Sequence, residues 1–266
     1  MVVNMITSAT NSRVKRIVAL GQKAKFRREE DCFLVEGSKM FLEAPKSWVK
    51  EVYISESFLA KCSFREELQS YCYEVVSDDV FQKMSDTKTP QGILSVLQCP
   101  HYEMEQLLAK ANPFLIILEN LQDPGNLGTI LRTGEGAGID GVIMTKETAD
   151  LFNPKVIRAT MGSIYRMPYV YVDDILECIK ELKKRDIAVY AAHLDDSVCY
   201  DVPDYKKGTA FLIGNEGNGL KKETADSATQ YIKIPMHGKV ESLNAAIATS
   251  ILMYEAAKQR NNENKL

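Results

Sequence analysis

The apolar and polar positions of this chain fall into two stretches with different patterning. Over the first hundred residues, short apolar runs alternate with amphipathic segments. Cys32–Glu36, Val52–Ser55, Tyr73–Val76 and Ile93–Leu97 are rich in β-branched and aromatic residues and read as short strands. Helical spacing fits Lys39–Ala44, Glu56–Ser70 and Asp78–Met84. Ahead of them Thr10-Asn11-Ser12 offers a cap to a helix with Val14, Ile17 and Val18 as its buried stripe. This alternation predicts a small α/β domain over residues 1–100, with Thr87–Gly92 as a polar loop. The strand pattern stops between Pro100 and Pro113, where only a short helix over Met104–Lys110 is expected. Residues 101–113 read as a linker.

A second pattern begins at Phe114–Leu118, which is apolar throughout, as a strand buried on both faces of a parallel sheet is. Gly141–Met144, Ile187–Ala191, Ala210–Ile213 and Tyr231–Ile234 are further strand candidates. Helices fit Leu127–Ala137, Pro154–Met161, Asp174–Lys184 and Leu243–Lys258. Strands alternating with helices predict a parallel sheet covered on both faces over 114–266. The longest apolar runs, Phe114–Leu118 and Thr209–Ile213, are far too short to span a bilayer, so no membrane association is expected. The polar segment Gln259–Leu266 is expected as a disordered tail beyond the last helix.

Composition is that of an ordinary globular protein, 45% hydrophobic and 26% charged over 266 residues. Charge distribution adds more. Arg13, Lys15, Arg16, Lys23, Lys25, Arg27 and Arg28 give residues 1–28 seven bases and no acid. With −3 overall and +7 in this arm, the remainder carries −10. A basic arm on an acidic body points to a polyanionic partner, although a solvated helix face has the same composition. An acid-free N-terminus is also what a transit peptide shows, but the cap and buried stripe indicate folded protein. There is no apolar segment of a secretory signal, and the six cysteines form no C-x-x-C pair; a cytoplasmic setting is expected. The three histidines lack metal-ligand spacing, so no metal site is expected.

Three segments carry the candidate chemistry, each just beyond a predicted strand, where open α/β sheets bind ligands. The first is Glu119–Asn126, leading into a helix with Arg132 and Glu135. Asn126 occupies the expected N-cap, and Arg132 and Glu135 share a face. Its bland reading is a capped helix with a surface ion pair. The second, Gly214-Asn215-Glu216-Gly217-Asn218-Gly219-Leu220, has three glycines in six residues. That density implies positive φ or close backbone approach to a ligand, beyond what a simple turn needs. The third, Ile234–Asn244, precedes an alanine-rich helix with Ser242 as the expected cap. One motif is a decoy: Gly136–Gly141 matches G-x-G-x-x-G but ends a helix and enters a strand. It is therefore read as a helix C-cap, not a dinucleotide site.

Together the three segments resemble the SpoU family of the SPOUT superfamily, RNA ribose 2′-O-methyltransferases. Asp123-Pro124-Gly125-Asn126-Leu127-Gly128 through Arg132 and Glu135 looks like its first motif, Gly214–Gly217 its second, and Ile234-Pro235-Met236 through Glu241–Asn244 its third. The resemblance covers roughly residues 114–258. The N-terminal domain is similar to the family's substrate-binding domain, a small α/β unit like a ribosomal protein.

That resemblance implies an α/β fold with a deep C-terminal trefoil knot, a homodimer with active sites near the interface, and S-adenosylmethionine as methyl donor. It places the donor at Leu212, Gly214, Ile234, Met236, Leu243 and Asn244, and catalysis at Arg132, with Asn126, Glu216, Ser242 and Asn244 around it. Since a guanidinium stays protonated, Arg132 is expected to bind a phosphate and stabilise the developing alkoxide rather than act as base, with Glu216 and Asn126 orienting Arg132 and the donor. RNA recognition is expected from Arg13, Lys15, Arg16, Lys25, Arg27 and Arg28, aided by Arg65 and Lys88. Ribosomal RNA of the 23S type is expected before transfer RNA, because a separate recognition domain accompanies the catalytic one. The alternatives are a transfer-RNA 2′-O-methyltransferase, an inactive RNA-binding relative, a base methyltransferase and a nucleotide-dependent oxidoreductase. The last is supported only by the misplaced glycine motif.

Overall fold

The computed structural model describes residues 5–193 and 197–261. They form two compact units: one reaches to Pro100 and includes Asp150–Tyr165, the other comprises His101–Ala149 and the chain from Arg166 onward.

The smaller unit contains α1 (Ser12–Gln22), α2 (Ala24–Glu30), β1 (Cys32–Glu36), α3 (Ser38–Glu43), β2 (Val49–Ser55), α4 (Glu56–Lys61), α5 (Arg65–Gln69), β3 (Tyr73–Val76), α6 (Asp78–Met84) and β4 (Ile93–Gln98). The strands form a mixed sheet in the order β1-β4-β2-β3, with only β2 and β3 parallel. Strand alternation divides its side chains between two cores. Tyr53, Val76, Leu94 and Val96 meet Val14, Ile17 and Leu20 of α1 and Phe81 of α6. Val52, Ile54, Val75 and Ile93 meet Phe41, Phe64 and Leu68 on the other face. Asn11 caps α1 as expected, its side chain accepting from the Arg13 N–H at 2.9 Å.

The expected single helix over Glu56–Ser70 is two. Cys62 turns extended (φ −62°, ψ 122°), which brings Phe64 into contact with Phe41 at a 5.7 Å ring separation. Burying that ring outweighs three helical residues of propensity.

The larger unit begins with α7 (Met104–Leu107), β5 (Phe114–Leu118), α8 (Pro124–Ala137) and β6 (Gly141–Thr145). The chain then gives α9 (Pro154–Thr160) to the smaller unit. It returns with β7 (Tyr169–Val172), α10 (Ile175–Lys184), β8 (Ala188–Ala192), β9 (Val198–Cys199), β10 (Thr209–Ile213), α11 (Lys222–Asp226), β11 (Gln230–Lys233) and α12 (Ala245–Asn261). Within the smaller unit, the Phe152 ring lies 4.6 Å from Phe33, and the Tyr165 hydroxyl donates to the Met40 carbonyl at 2.7 Å.

Seven parallel strands run in the order β7-β6-β5-β10-β8-β11-β9. Every residue of β5 and β10 is buried, matching their unbroken apolar runs. One face packs Leu115, Ile117, Ile143, Val189 and Leu212 against Ile179 and Leu182 of α10. Near the other end of α8, Gly134 leaves room for a neighbour: a Cβ there would lie 2.5 Å from Ile139 Cδ1 and 3.6 Å from Met253 Sδ of α12. Gly138 closes α8 in the left-handed region (φ 79°), its N–H bonding to the Glu135 carbonyl, so the G-x-G-x-x-G stretch is a C-cap.

Four of these elements lie outside the sequence expectations: α2, β7, β9 and α11. The last helix also extends further than its polar composition suggests. Gln259 accepts from the Tyr205 N–H at 3.0 Å, and Arg260 donates to the Tyr205, Asn112 and Lys207 carbonyls while stacking on Phe114 at 4.8 Å. Gln259–Asn261 are therefore helical; residues 262–266 of the expected tail lie outside the described residues.

Candidate active site

The three singled-out segments meet where β5, β10 and β11 end. The first turn of α8 is capped by Asp123, not Asn126: its carboxylate accepts from the Asn126 N–H at 2.8 Å, with Pro124 in the first turn. Asn126 therefore lies inside the helix, 9% exposed, with its side-chain amide free for other work. Its Nδ2 donates to Glu216 Oε1 at 2.9 Å, and its Oδ1 accepts from Asn244 Nδ2 at 2.9 Å. Asn244 in turn caps α12, Oδ1 accepting from the Ala246 and Ile247 N–H groups at 2.9 and 3.3 Å. Ser242, the expected cap, is exposed and lies two residues further out. A relay Asn244–Asn126–Glu216 thus links the third segment to the first and the first to the second.

Glu216 also accepts from the Gln122 and Asp123 backbone N–H groups, each at 2.9 Å. Desolvation pushes its carboxyl up, but these donors and the Asn126 amide outweigh it and hold the group below its usual range. The loop that carries it folds back on itself. Asn215 and Gly219 exchange backbone bonds of 3.0 and 2.9 Å, and the Asn215 side chain accepts from Gly217 and Asn218 while donating to the Asn120 carbonyl. Gly219 sits at φ 67°, and a Cβ on Gly214 would overlap the backbone of Gly219 and Leu220. Gly214 and Gly219 are needed for the loop's own closure, whereas a Cβ on Gly217 would meet only the Asn215 side chain, at 3.5 Å. Glu119, missed by sequence reasoning, is 2% exposed and ties β5 to α11 by accepting from the Lys221 N–H and Thr224 hydroxyl at 2.9 and 2.7 Å. A charge directly after a wholly apolar strand was its only signal.

Beside the relay lies a cleft of about 690 Å³, lined by Gly214–Leu220, Ile234, Met236, Leu243, Asn244, Leu252 and others. Its size suits a cofactor. Of the expected donor positions, Gly214, Ile234, Met236, Leu243 and Asn244 line it; Leu212 does not, being fully buried in the sheet core. Ser242 and Glu216 lie on its wall. His193, also on the wall, rests against Tyr231 at a 4.8 Å ring separation and was not anticipated. Among the described residues, no group of His, Cys, Asp and Glu could hold a metal ion, and no helix is long and apolar enough to cross a membrane.

Arg132 is exposed on α8 and is not part of the cleft wall of its own chain. It has no hydrogen bond to Glu216 or Asn126 of its own chain, whose bonds tie the loops together. Nor is Glu135 its partner: Arg166 takes that carboxylate.

The basic arm divides. Lys15, Lys25 and Arg28 are exposed. Arg13 pairs with Glu74, and Arg16 with Glu30 and Glu51 at 2.8 and 2.6 Å. Arg27 is 3% exposed, its Nε 2.9 Å from Asp150 Oδ2 and its Nη1 2.5 Å from the Leu20 carbonyl. Its charge is neutralised inside the unit, so Arg27, expected as an RNA contact, has no exposed charge to offer a phosphate.

A parallel α/β sheet with a cofactor-sized cleft at its carboxyl edge, walled by a self-closing glycine loop and a helix cap, defines an α/β protein with a small-molecule site where the strands end. Residues 113–254 match the model of the SpoU rRNA methylase family, and residues 11–95 that of the MRM3-like substrate-binding domain. The chain belongs to the SpoU rRNA methylase family. It is 35% identical over 251 residues to the 23S rRNA (guanosine(2553)-2′-O)-methyltransferase RlmP of Bacillus subtilis, covering 94% of this chain and 97% of the relative. Among solved structures, it resembles the SpoU methyltransferase AviRb of Streptomyces viridochromogenes in complex with AdoMet. The TM-score is 0.85 at 26% identity, over 94% of this chain and 98% of that one. An AdoMet-bound rRNA methyltransferase of Sinorhizobium meliloti gives a TM-score of 0.83 at 32% identity, over 96% and 97%.

Proposed function

We propose that this chain transfers a methyl group from S-adenosylmethionine to a ribose 2′-hydroxyl of 23S-type ribosomal RNA, as a cytoplasmic homodimer. The observation that carries this reading is the relay that joins all three segments at one cleft. The cleft fits the donor by its size and by its mixed lining: apolar Ile234, Met236, Leu243 and Leu252 beside the polar Asn215 and Asn244. The trefoil knot belongs to the same reading, supported by the seating of the third segment against the first two. The intact set Asn126, Arg132, Glu216, Ser242 and Asn244 favours an active enzyme over a binding-only relative.

The donor supplies an electrophilic methyl group when bound. The chain's own part is alignment and charge. The 2′-oxygen must approach in line and pass its proton to the target phosphate or a water, and its developing negative charge must be stabilised. Arg132 remains a cation throughout, binding a target phosphate and that oxygen. Because Arg132 does not wall its own cleft, a second copy is the natural source of the arginine for each site. Exposed Ile247 (50%) and Tyr254 (54%), seven residues apart on one face of α12, provide an apolar surface for that copy. Lys15, Lys25 and Arg28 then contact RNA phosphates.

The test is methyl transfer from labelled donor to ribosomal RNA extracted from cells lacking this protein, with mapping of the modified ribose. One new 2′-O-methyl in large-subunit RNA is expected. Labelling of transfer RNA, or of a base, would redirect the assignment.

A further inference from the structure

Glu135 occupies the last turn of α8, where no base accompanies it. An acid there opposes the negative end of the helix dipole. Arg132 lies three residues earlier on the same face, and such spacing ordinarily produces an ion pair. Glu135 is turned instead toward Arg166, just ahead of β7. Arg166 grips it with two prongs, Nε on one carboxylate oxygen and Nη2 on the other at 3.3 Å. The backbone that carries Arg166 is anchored directly after it: Met167 is 2% exposed, and the Pro168 carbonyl accepts from the Val142 N–H at 3.0 Å. Both charged groups are partly solvated, so their pairing contributes little to folding. Its consequence lies next door. Arg132 keeps an uncompensated guanidinium, exposed and without a hydrogen-bond or ionic partner among the described residues.

We propose that Arg166 is a positioning residue for the methyl-transfer reaction: by chelating Glu135 it keeps that carboxylate off Arg132 and leaves Arg132 available to the RNA. Without Arg166, Glu135 swings to its i−3 neighbour and competes with the incoming phosphate for the same fork of donors. This inference rests on the reading of Arg132 as an RNA contact, and the experiment separates the two.

The measurement is steady-state transfer of labelled methyl to ribosomal RNA from cells lacking the protein, for Arg166→Ala, Glu135→Gln, the double variant, Arg166→Lys and Arg132→Ala, with donor affinity and melting temperature alongside. Arg166→Ala is expected to raise the KM for RNA about tenfold, the loss of one charge-assisted bond, with donor affinity unchanged. The double variant Arg166→Ala/Glu135→Gln returns KM close to wild type, because no carboxylate is left to compete. Arg166→Lys, holding Glu135 by a single point charge, falls between. An unchanged KM in Arg166→Ala overturns the proposal. So does a raised KM that Glu135→Gln fails to restore, which would make Arg166 an RNA contact itself, or a loss that follows the melting temperature. Arg132→Ala reports separately on the underlying reading: full activity there removes it whatever Arg166 does.

Discussion

Asn126 shows how much one side chain can organise when it is released from an expected task. The pair Asp123-Pro124 supplies the helix start, with the acid as cap and the proline in the first turn, where its missing N–H costs nothing. The sequence expectation put the cap at Asn126 and so passed over this start, and the destination of the freed Asn126 amide was not legible at all, because its two partners lie 90 and 118 residues away. The same reach holds Glu216 ionised. Its folded carboxyl lies below the ordinary glutamate value. The sign follows from linkage: the stabilisation is fully present above that value and is lost as pH falls through the folded one. In thermal melts between pH 3 and 8, wild type should therefore lose more stability on the acid side than Glu216→Gln. Parallel curves would show that the carboxylate contributes nothing to the loop.

At the scale of elements, α12 begins later than its periodicity suggests because Leu243 lines the cleft, which leaves Asn244 to cap. Asn244 has two separable jobs. Asn244→Ala removes both and should cost about 1 kcal/mol from the cap, a fall of roughly 2–4 °C in melting temperature. Asn244→Asp keeps the acceptor for the Ala246 and Ile247 N–H groups but has no amide for Asn126. It should melt like wild type while binding S-adenosylmethionine more weakly, as isothermal titration would record. Equal donor affinity in both proteins would make the bond to Asn126 dispensable. Strands were read well where both faces are buried, as in β5 and β10. The edge strand β9 escaped because two residues leave no pattern to count, whereas β7, as long as β3, carries a legible aromatic and β-branched run that went unassigned. Phe64 broke an expected helix for the opposite reason, a tertiary contact stronger than local propensity.

At the scale of the whole molecule, charge that looks uniform in the sequence has two fates. The arm's seven bases were indistinguishable by composition, yet Arg27 is a core residue and Lys25 and Arg28 are not. Arg27→Met leaves Asp150 without its partner and should destabilise the fold by on the order of 3 kcal/mol, with a matching shift in urea midpoint. Lys25→Glu with Arg28→Glu should leave stability and donor affinity intact. It should weaken RNA binding and make the plot of log affinity against log salt shallower by roughly one unit per lost phosphate contact. If both variants changed only stability, the arm would be structural throughout.

The excursion of Asp150–Tyr165 into the smaller unit also sets a timetable. A ribosome making this chain finishes residue 100 well before it reaches Tyr165, which that unit needs for Phe152, α9 and the bond to Met40. At roughly 5–20 residues per second, the nascent N-terminal unit waits on the order of several seconds for its last piece. Meanwhile Arg27 has no Asp150 to meet, and β1 lacks Phe152 on its surface. A fragment cut at residue 100, however natural that boundary looks in the sequence, would be born permanently in that unfinished condition.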